Sequence, residues 1–143
     1  MGYSMTQREI SFFMGCHDKQ AALSAFRLEM LAKVKTLGDG GGWQNGEKVK
    51  YWFSWTSNSV LEQAQAIEEV LEEFRWKPIL DVAGNIVSLE FTGEKIGQEE
   101  LLFEIIARFV RNGSYINMTG EDGYMWQWCF DGKHVKEHAI FAG

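Results

Sequence analysis

The chain has 143 residues, a length that suits one compact domain and is short for two. Because 45% of the residues are hydrophobic and 24% are charged, we expect a packed core rather than a disordered chain. The chain contains 15 glycines and one proline, a composition that excludes collagen-like and proline-rich architectures. No apolar run approaches the roughly 20 residues of a membrane helix. The first residues include no apolar signal segment, so the expected location is the cytoplasm.

The formal net charge of −6 is unevenly distributed. Residues 1–50 contain seven basic residues (Lys or Arg) and five acidic residues (Asp or Glu), whereas residues 51–143 contain seven basic and fifteen acidic residues. Direct binding to a nucleic-acid backbone requires clustered cations, and no cluster here is dense enough, so no nucleic-acid ligand is expected. The acidic balance instead suits a protein partner with a cationic surface. The alternative is that these residues are solvated helix faces that keep the protein soluble.

The first predicted elements are a strand over Ile10–Cys16 and a helix that Asp18 caps. The helix has an apolar stripe at 3.6-residue spacing, formed by Ala22, Phe26, Met30, Leu31 and Val34. Residues 36–48 follow as a glycine-rich loop, which we expect to be mobile. The glycines of this loop follow a predicted helix, and the loop contains no Gly-Lys-Ser/Thr sequence, so a phosphate-binding loop is not indicated. Trp43 in this loop is either an anchor on the domain or a contact for a partner.

A second strand is predicted over Lys50–Trp55, and Ser59 with Glu62 reads as the capping box of a second helix. The inner stripe of this helix comprises Leu61, Ala64, Ile67, Val70, Leu71 and Phe74. Its outer face is acidic, and we take four of its residues as candidate partner contacts: Glu68, Glu69, Glu72 and Glu73.

The second half of the chain predicts a hairpin, a helix and a final three-stranded meander. The hairpin joins Trp76–Val82 to Ile86–Phe91, and Pro78 favours an edge position for its first strand. The helix spans Gln98–Arg111, with Asn112-Gly113 as its stop. The meander strands are Tyr115–Thr119, Tyr124–Phe130 and Lys133–Phe141, with a two-residue turn at Asp131-Gly132. We therefore expect a single α+β domain over residues 1–143, with three amphipathic helices on one face of a mostly antiparallel sheet.

Alternation places four rings on one side of the middle meander strand: Tyr124, Trp126, Trp128 and Phe130. A four-residue connection at 120–123 would set Tyr115 and Asn117 opposite Trp128 and Trp126. This aromatic ladder is expected to pack under the helices, with a partner-binding or stacking platform as the alternative.

Candidate metal ligands do not converge in the sequence. Cys16 and His17 are adjacent and would diverge, and a two-residue turn would bring only Cys129 and His134 together, with His138 too far along the strand. The chain contains no GxSxG or HExxH pattern and no cysteine in a nucleophile context, so neither catalysis nor a metal or other cofactor is expected. The acidic hairpin tip Glu121-Asp122 is displayed, and we add it to the candidate partner contacts.

Several segments resemble a group of small uncharacterised proteins of phages and prophages. The similarity is concentrated in residues 86–138, with a weaker match at the amino terminus; the segments are Met1–Ser4, Phe91–Gly97, Gly113–Met118, Gly120–Gly123 and Trp126–Gly132. The resemblance implies no catalytic residue. It implies a non-catalytic accessory protein in the host cytoplasm that binds and inhibits a host protein, such as a CRISPR effector or another defence enzyme. The alternatives are a module that sequesters a nucleotide signal through its aromatics and a structural or housekeeping domain, and homodimerisation stays open.

Overall fold

The computed structural model describes residues 2–32, 42–44, 47–49, 53 and 56–140. Helices and antiparallel sheets together confirm the predicted α+β class. The predicted loop 36–48 and the predicted strand Lys50–Trp55 lie largely outside the described residues. In this part of the chain, Gly42–Gln44 (β2) and Glu47–Val49 (β3) form a short antiparallel pair.

Four antiparallel strands form the main sheet in the order β1, β6, β7, β8. Their bounds are Met5–Ser11 for β1, Tyr115–Gly120 for β6, Met125–Phe130 for β7 and Val135–Ile140 for β8. The last three are the predicted meander, which is confirmed. β8 is an edge strand, because only β7 pairs with it among the described strands.

The prediction of the first strand over Ile10–Cys16 was wrong, because β1 begins five residues earlier and ends at Ser11. Backbone pairing with β6 makes this polar run a strand, and the side chain of Gln7 adds bonds to a second strand. Its amide nitrogen donates to the carbonyl of Leu89 at 2.9 Å, and its amide oxygen accepts from the backbone N–H of Phe91 at 2.6 Å. Because a polar side chain makes this link to a neighbouring strand, β1 lacks the alternation of apolar and polar residues from which strands are predicted.

The first helix (α1) spans Lys19–Ala25 and continues as a π-helical turn over Phe26–Leu31. Asp18 occupies the predicted N-cap position, although its side chain makes no capping hydrogen bond. The described members of the predicted stripe are buried, which confirms this helix face. Val34 lies outside the described residues.

The second predicted helix is broken in two, contrary to the expectation of one helix from Ser59 to Phe74. Helix α2 spans Asn58–Gln63, with Ser57 rather than Ser59 at its N-cap, and helix α3 spans Ile67–Glu73. At the break, the carbonyl of Ala64 accepts a hydrogen bond from the guanidinium of Arg27. The predicted inner stripe is nevertheless buried along its whole length, because both pieces turn their apolar faces to the same core.

The hairpin of β4 (Trp76–Leu80) and β5 (Ile86–Phe91) is confirmed, and it forms a separate two-stranded sheet. Asp81 shapes its turn by accepting from the backbone N–H groups of Ala83 and Asn85, both at 2.9 Å. The third predicted helix is shorter than Gln98–Arg111. It comprises α4 over Glu99–Ile106 and a 3₁₀ turn over Ala107–Phe109, and the chain then turns at Gly113, whose φ is +96°.

The first meander turn differs from the prediction in length and the second in position, and these differences set the register. The first connection has three residues, because the N–H of Gly120 bonds the carbonyl of Tyr124 and Thr119 pairs with Met125. An odd shift exchanges the faces of a strand, so Ile116 and Met118 rather than Tyr115 and Asn117 oppose Trp128 and Trp126. The second turn spans residues 131–134, because Phe130 pairs with Val135 and the N–H of Asp131 bonds the carbonyl of His134. Its two central residues are therefore Gly132 and Lys133, one position later than predicted.

The aromatic ladder lies in the core, as predicted, except at its first residue. Trp126, Trp128 and Phe130 are 1–2% exposed, whereas Tyr124 is 44% exposed and stacks on Trp126. Phe103 of α4 contacts Trp128 and Phe130 edge to face, with ring centroids 5.4 and 5.8 Å apart. The helices therefore cover the aromatic face of the main sheet.

A close approach at the end of β6 fixes the amino-terminal segment. A Cβ atom on Gly120 would overlap with the hydroxyl oxygen and the Cζ atom of Tyr3. The ring of Tyr3 also contacts Trp126, with centroids 6.3 Å apart. Only a residue without a side chain leaves room for this ring.

We expect Gly120→Ala to displace Tyr3 and to lower the free energy of unfolding by about 1–3 kcal/mol, because overpacking at a fixed site is destabilising. Urea unfolding measures the change. In a Tyr3→Ala background the same substitution should have a much smaller effect. An equal loss in both backgrounds would show that Tyr3 is not what Gly120 accommodates.

Candidate functional site

The predicted acidic face of α3 is partly used to hold the fold together. Lys19 Nζ lies 2.7 Å from Glu68 Oε2 and donates to the carbonyl of Gly84 at 2.8 Å. This lysine connects α1, α3 and the β4–β5 turn. Glu68 is thus a structural ion-pair partner in addition to being an acidic surface residue.

Two further predicted contacts bond to the chain around α2. Glu73 Oε1 accepts from the N–H of Ser57 at 2.8 Å, and Glu69 Oε2 accepts from the N–H of Gln65 at 3.1 Å. These carboxylates satisfy backbone donors at the start of α2 and in the break before α3. Glu69 and Glu72 are exposed, and they are the members of this face that are most accessible to a partner.

The acidic hairpin tip is bonded to the amino-terminal segment. The hydroxyl of Tyr3 donates to Asp122, and the N–H of Ser4 donates to Glu121 Oε1 at 3.3 Å. The bond to Asp122 raises the pKa of Tyr3 to about 12, and the Tyr3 hydroxyl lowers the pKa of Asp122. Both acidic residues are exposed, but they already have partners within the chain.

Trp43 lies in β2, opposite Lys48. Its side chain is outside the part of the chain that the structure describes, so its role as a partner contact stays a prediction.

A second acidic surface, which the sequence did not indicate, lies where α4 meets β8. We call it the α4–β8 surface, and its exposed acidic residues are Glu100, Glu104, Asp131 and Glu137. Trp128 positions the first of them, because its indole Nε1 donates to Glu100 Oε1 at 2.9 Å. Strand pairing brings Glu137 to the same surface, because Glu137 on β8 lies directly opposite Trp128 on β7.

Glu104 connects α4 to the start of β8. Its Oε1 accepts from the N–H of Val135 at 3.0 Å, and its Oε2 lies 2.7 Å from Nδ1 of His134. Asp131 folds the turn before β8 by accepting from the N–H groups of Lys133 and His134. These backbone bonds lower the pKa of Asp131. This carboxylate stays charged and holds the four-residue turn in place.

The neighbouring carboxyl of Glu100, together with partial burial, raises the pKa of Glu137 to about 7. Both residues are exposed, so the pair lies at the surface rather than in a recess.

The sequence could not reveal this pair, because it depends on the position of one turn. A two-residue turn at Asp131-Gly132 would pair Trp128 with Val135, whereas the observed turn, centred one residue later, pairs it with Glu137. One signal of this turn was present in the sequence. Asp131 precedes Lys133 by two residues and His134 by three, which is the spacing of an Asx-type turn. The same register sets Cys129 opposite Lys136, so the predicted meeting of Cys129 and His134 was wrong.

Glu99, on the first turn of α4, is 2% exposed. Its Oε2 accepts from the N–H of Gly97 at 2.9 Å, and its buried Oε1 has no hydrogen-bond partner among the described residues. Burial raises the pKa of this carboxyl to about 7. Glu99 is therefore a buried carboxyl on the first turn of α4.

A cavity of about 350 Å³ lies on another part of the molecule, between the end of α3 and the segment after β5. Its described lining residues are Arg75, Thr92, Gly93, Glu94 and Lys95. Arg75 has a φ of +71°, in the left-handed region where glycine is the usual residue after a helix. A Cβ on Gly93 would lie 3.1 Å from Cδ of Arg75, so the glycine leaves room for the arginine side chain.

No cluster of three or more Cys, His, Asp or Glu suited to a metal ion occurs within the described residues. None of the helices in that same part of the chain combines the length and the apolar composition needed to cross a bilayer. Comparison of the chain with protein-family models, curated proteins and solved structures finds no match. The resemblance to phage and prophage proteins therefore stays an expectation.

The buried carboxyl of Glu99 gives a pH prediction. Its pKa is raised in the folded state, so its neutral form stabilises the fold and this contribution is lost as pH rises from about 4.5 through 7. We expect Glu99→Gln to raise the free energy of unfolding at pH 8 by up to about 3 kcal/mol and to change it little at pH 5. Denaturant unfolding at both pH values measures this. Glu94→Gln, on an exposed residue, is the control, and an equal effect of Glu99→Gln at both pH values would contradict the prediction.

Proposed function

We propose that the protein acts without catalysis, by binding a protein partner with a cationic surface through the α4–β8 surface. The observation that carries this proposal is the convergence of four exposed carboxyl groups from α4, the 131–134 turn and β8. Two of them also have a basic neighbour, since Glu104 contacts His134 and Asp131 lies 3.6 Å from Lys136. Such a patch raises the rate of encounter with a partner of opposite charge.

Two other features of the same surface support a protein partner rather than a small cation. Leu101, on α4 between Glu100 and Glu104, is 50% exposed and gives the patch an apolar contact. β8 offers backbone groups along a sheet edge, and extended segments of other proteins bind to such edges. An apolar contact with a charged surround is the usual composition of a protein interface.

The resemblance to phage and prophage proteins suggests the identity of the partner. We propose that the partner is a host protein, such as a CRISPR effector or another defence enzyme that binds nucleic acid through a cationic surface. Occupation of that surface by an acidic protein would inhibit the enzyme. The site of action would then be the cytoplasm of the host cell.

Capture of partners from host lysate, followed by association-rate measurements on each retained protein, tests the proposal. We expect Glu100→Gln combined with Glu137→Gln to slow association about three- to tenfold at low ionic strength, with a smaller effect at high salt. The matched control is Glu69→Gln combined with Glu72→Gln, on the exposed part of α3. Slower association in the α3 variant alone would assign the interface to the helix that the sequence predicts. Unchanged rates in both would contradict an acidic interface.

The cavity beside Arg75 supports a second candidate function, the binding of a small phosphorylated ligand such as a nucleotide. The aromatic ladder is in the core, so stacking on it is not the basis of this candidate. The basis is instead the pair of cations, Arg75 and Lys95, in a cavity within the size range of small-molecule sites.

A thermal-shift panel of phosphate and mono-, di- and cyclic nucleotides tests this second function. A ligand at about 100 times its dissociation constant stabilises the folded state by about 2.7 kcal/mol, which raises Tm by several degrees. We expect Arg75→Gly to abolish the increase, since glycine accepts the left-handed backbone but lacks the guanidinium group. Lys77→Ala, on β4, should retain it. The absence of any shift in the wild-type protein would exclude this function.

A further inference from the structure

The backbone of β8 has a side that faces β7 and a side that faces outward. The N–H of Asp131 bonds the carbonyl of His134 at 3.0 Å, so the backbone groups of His134 point toward β7. Backbone groups of successive strand residues point to alternate sides, so the even-numbered residues of β8 also point toward β7. The N–H and C=O groups of residues 135, 137 and 139 therefore point outward, where no other strand of the described chain pairs with them.

Two further hydrogen bonds support this assignment. Phe130, which lies opposite Val135, donates its N–H to the carbonyl of Ser114 at 2.9 Å, on the side of β6 and away from β8. The N–H of Val135 donates to Glu104 Oε1 at 3.0 Å and not to β7. The carboxylate of Glu104 thus takes the place that the carbonyl of an added strand would have at the first outward N–H.

The other edge of the main sheet is covered by the chain itself. Gln7 of β1 bonds the backbone of Leu89 and Phe91, and the N–H of Met5 donates to the carbonyl of Glu94 at 3.0 Å. An uncovered edge is a template for a further strand, which is why most proteins cover or shorten their edges. β8 is six residues long and exposed over residues 136–139, so its edge is accessible to a strand from another molecule.

The side chains of β8 give this edge a charge pattern. Glu137 lies opposite Trp128 and therefore shares its face of the sheet, where the Trp128 indole bonds Glu100 of α4. Lys136 and His138 lie on the other face. The position opposite Glu137 in an added strand is thus next to carboxyl groups, and a basic side chain is complementary to it.

The same pattern disfavours a second copy of this chain as the added strand. The outward groups belong to odd-numbered residues, so two antiparallel copies must pair odd with odd, and one residue faces its own copy at the two-fold axis. Registers centred on Lys136 or Glu137 place like charges directly opposite each other, which is destabilising. The register centred on His138 leaves Glu137 opposite Ala139, without a cation.

We propose that the partner adds an extended basic segment to β8 as an antiparallel fifth strand, with Lys or Arg opposite Glu137. This inference rests on the proposed function and deepens it, because it states which part of the partner the α4–β8 surface binds. Backbone hydrogen bonds at residues 137 and 139 supply affinity, and the ion pair with Glu137 fixes the register. The carboxylate of Glu104 at the N–H of Val135 marks the end of the added strand.

A labelled β-hairpin peptide whose outer strand reads Val-Thr-Lys-Thr-Val gives the first test, by fluorescence anisotropy at pH 8. Glu137 is charged at this pH, because its pKa is about 7. We expect binding, and a dissociation constant about three- to fivefold higher when the lysine of the peptide is replaced by glutamate. Glu137→Lys should reverse this preference. Absence of binding at millimolar peptide, or the same preference in both proteins, would overturn the proposal.

A peptide methylated on the backbone nitrogen of its lysine is the matched control, because it keeps the charge and loses one hydrogen bond to the edge. We expect it to bind about three- to tenfold more weakly. Equal binding of the methylated peptide would show attraction between charges without strand addition and would overturn the proposal.

Hydrogen exchange locates the bound peptide. In the free protein we expect the amides of Glu137 and Ala139 to exchange at least about tenfold faster than those of Lys136 and His138, which bond β7. The peptide should slow the two fast amides and leave the other two unchanged. Slowing of the fast amides by an increase in protein concentration alone would assign the edge to a second copy and would overturn the proposal.

Ala139→Pro separates this inference from the proposed function. Proline removes an outward N–H and none of the bonds to β7, so the fold should be retained while affinity for a partner captured from lysate falls about tenfold. Ala139→Thr, which keeps the N–H, is the control. If the Glu100 and Glu137 variants slow association but Ala139→Pro binds as wild type, the proposed function stands and strand addition is overturned. If lysate yields no partner while the peptide binds as described, the proposed function fails and the edge site stands.

Discussion

The packing of buried aromatic rings between the main sheet, the β4–β5 hairpin and α4 is the constraint on which the other features depend. Trp76 on β4 contacts Phe103 on α4 and Trp128 on β7, with ring centroids 5.3 and 6.1 Å apart. Phe130 extends the cluster to Phe12, after β1. Large rings in edge-to-face contact bury extensive apolar area with defined geometry, so they fix the relative positions of the elements that carry them. The same cluster fixes Trp128, whose Nε1 reaches Glu100 and thereby sets the geometry of the α4–β8 surface.

The sequence predicts the parts of the fold that rest on periodicity. The α+β class, the β4–β5 hairpin, the three meander strands and the inner stripes of the helices follow from spacing, because burial imposes a repeat of two on a strand and of 3.6 on a helix. Features that depend on tertiary bonds were not predictable in this way. Arg27, which is distant in sequence, bonds the chain at the break between α2 and α3. β1 pairs with the distant strand β6 and is linked to β5 by Gln7.

The candidate site was less predictable than the fold because charge alone does not distinguish the roles of carboxylates. On α3, Glu68, Glu69 and Glu73 bond to a lysine or to backbone N–H groups of this chain. The α4–β8 surface depends instead on a register in which one turn residue more or fewer would send Glu137 to the other face. The acidic composition of the second part of the chain thus yields both structural capping groups and a localised surface of unusual proton affinity.

The mutual orientation of the buried indoles has an optical consequence. Trp128 lies between Trp76 and Trp126, at 6.1 and 5.7 Å and at interplanar angles of 70° and 78°. Such close, crossed chromophores couple their electronic transitions, so the folded protein should give a strong near-ultraviolet circular dichroism signal. That signal disappears when side chains lose their fixed arrangement even if helices and strands persist. The molecule therefore contains an intrinsic spectroscopic reporter that separates an ordered interior from a merely collapsed one.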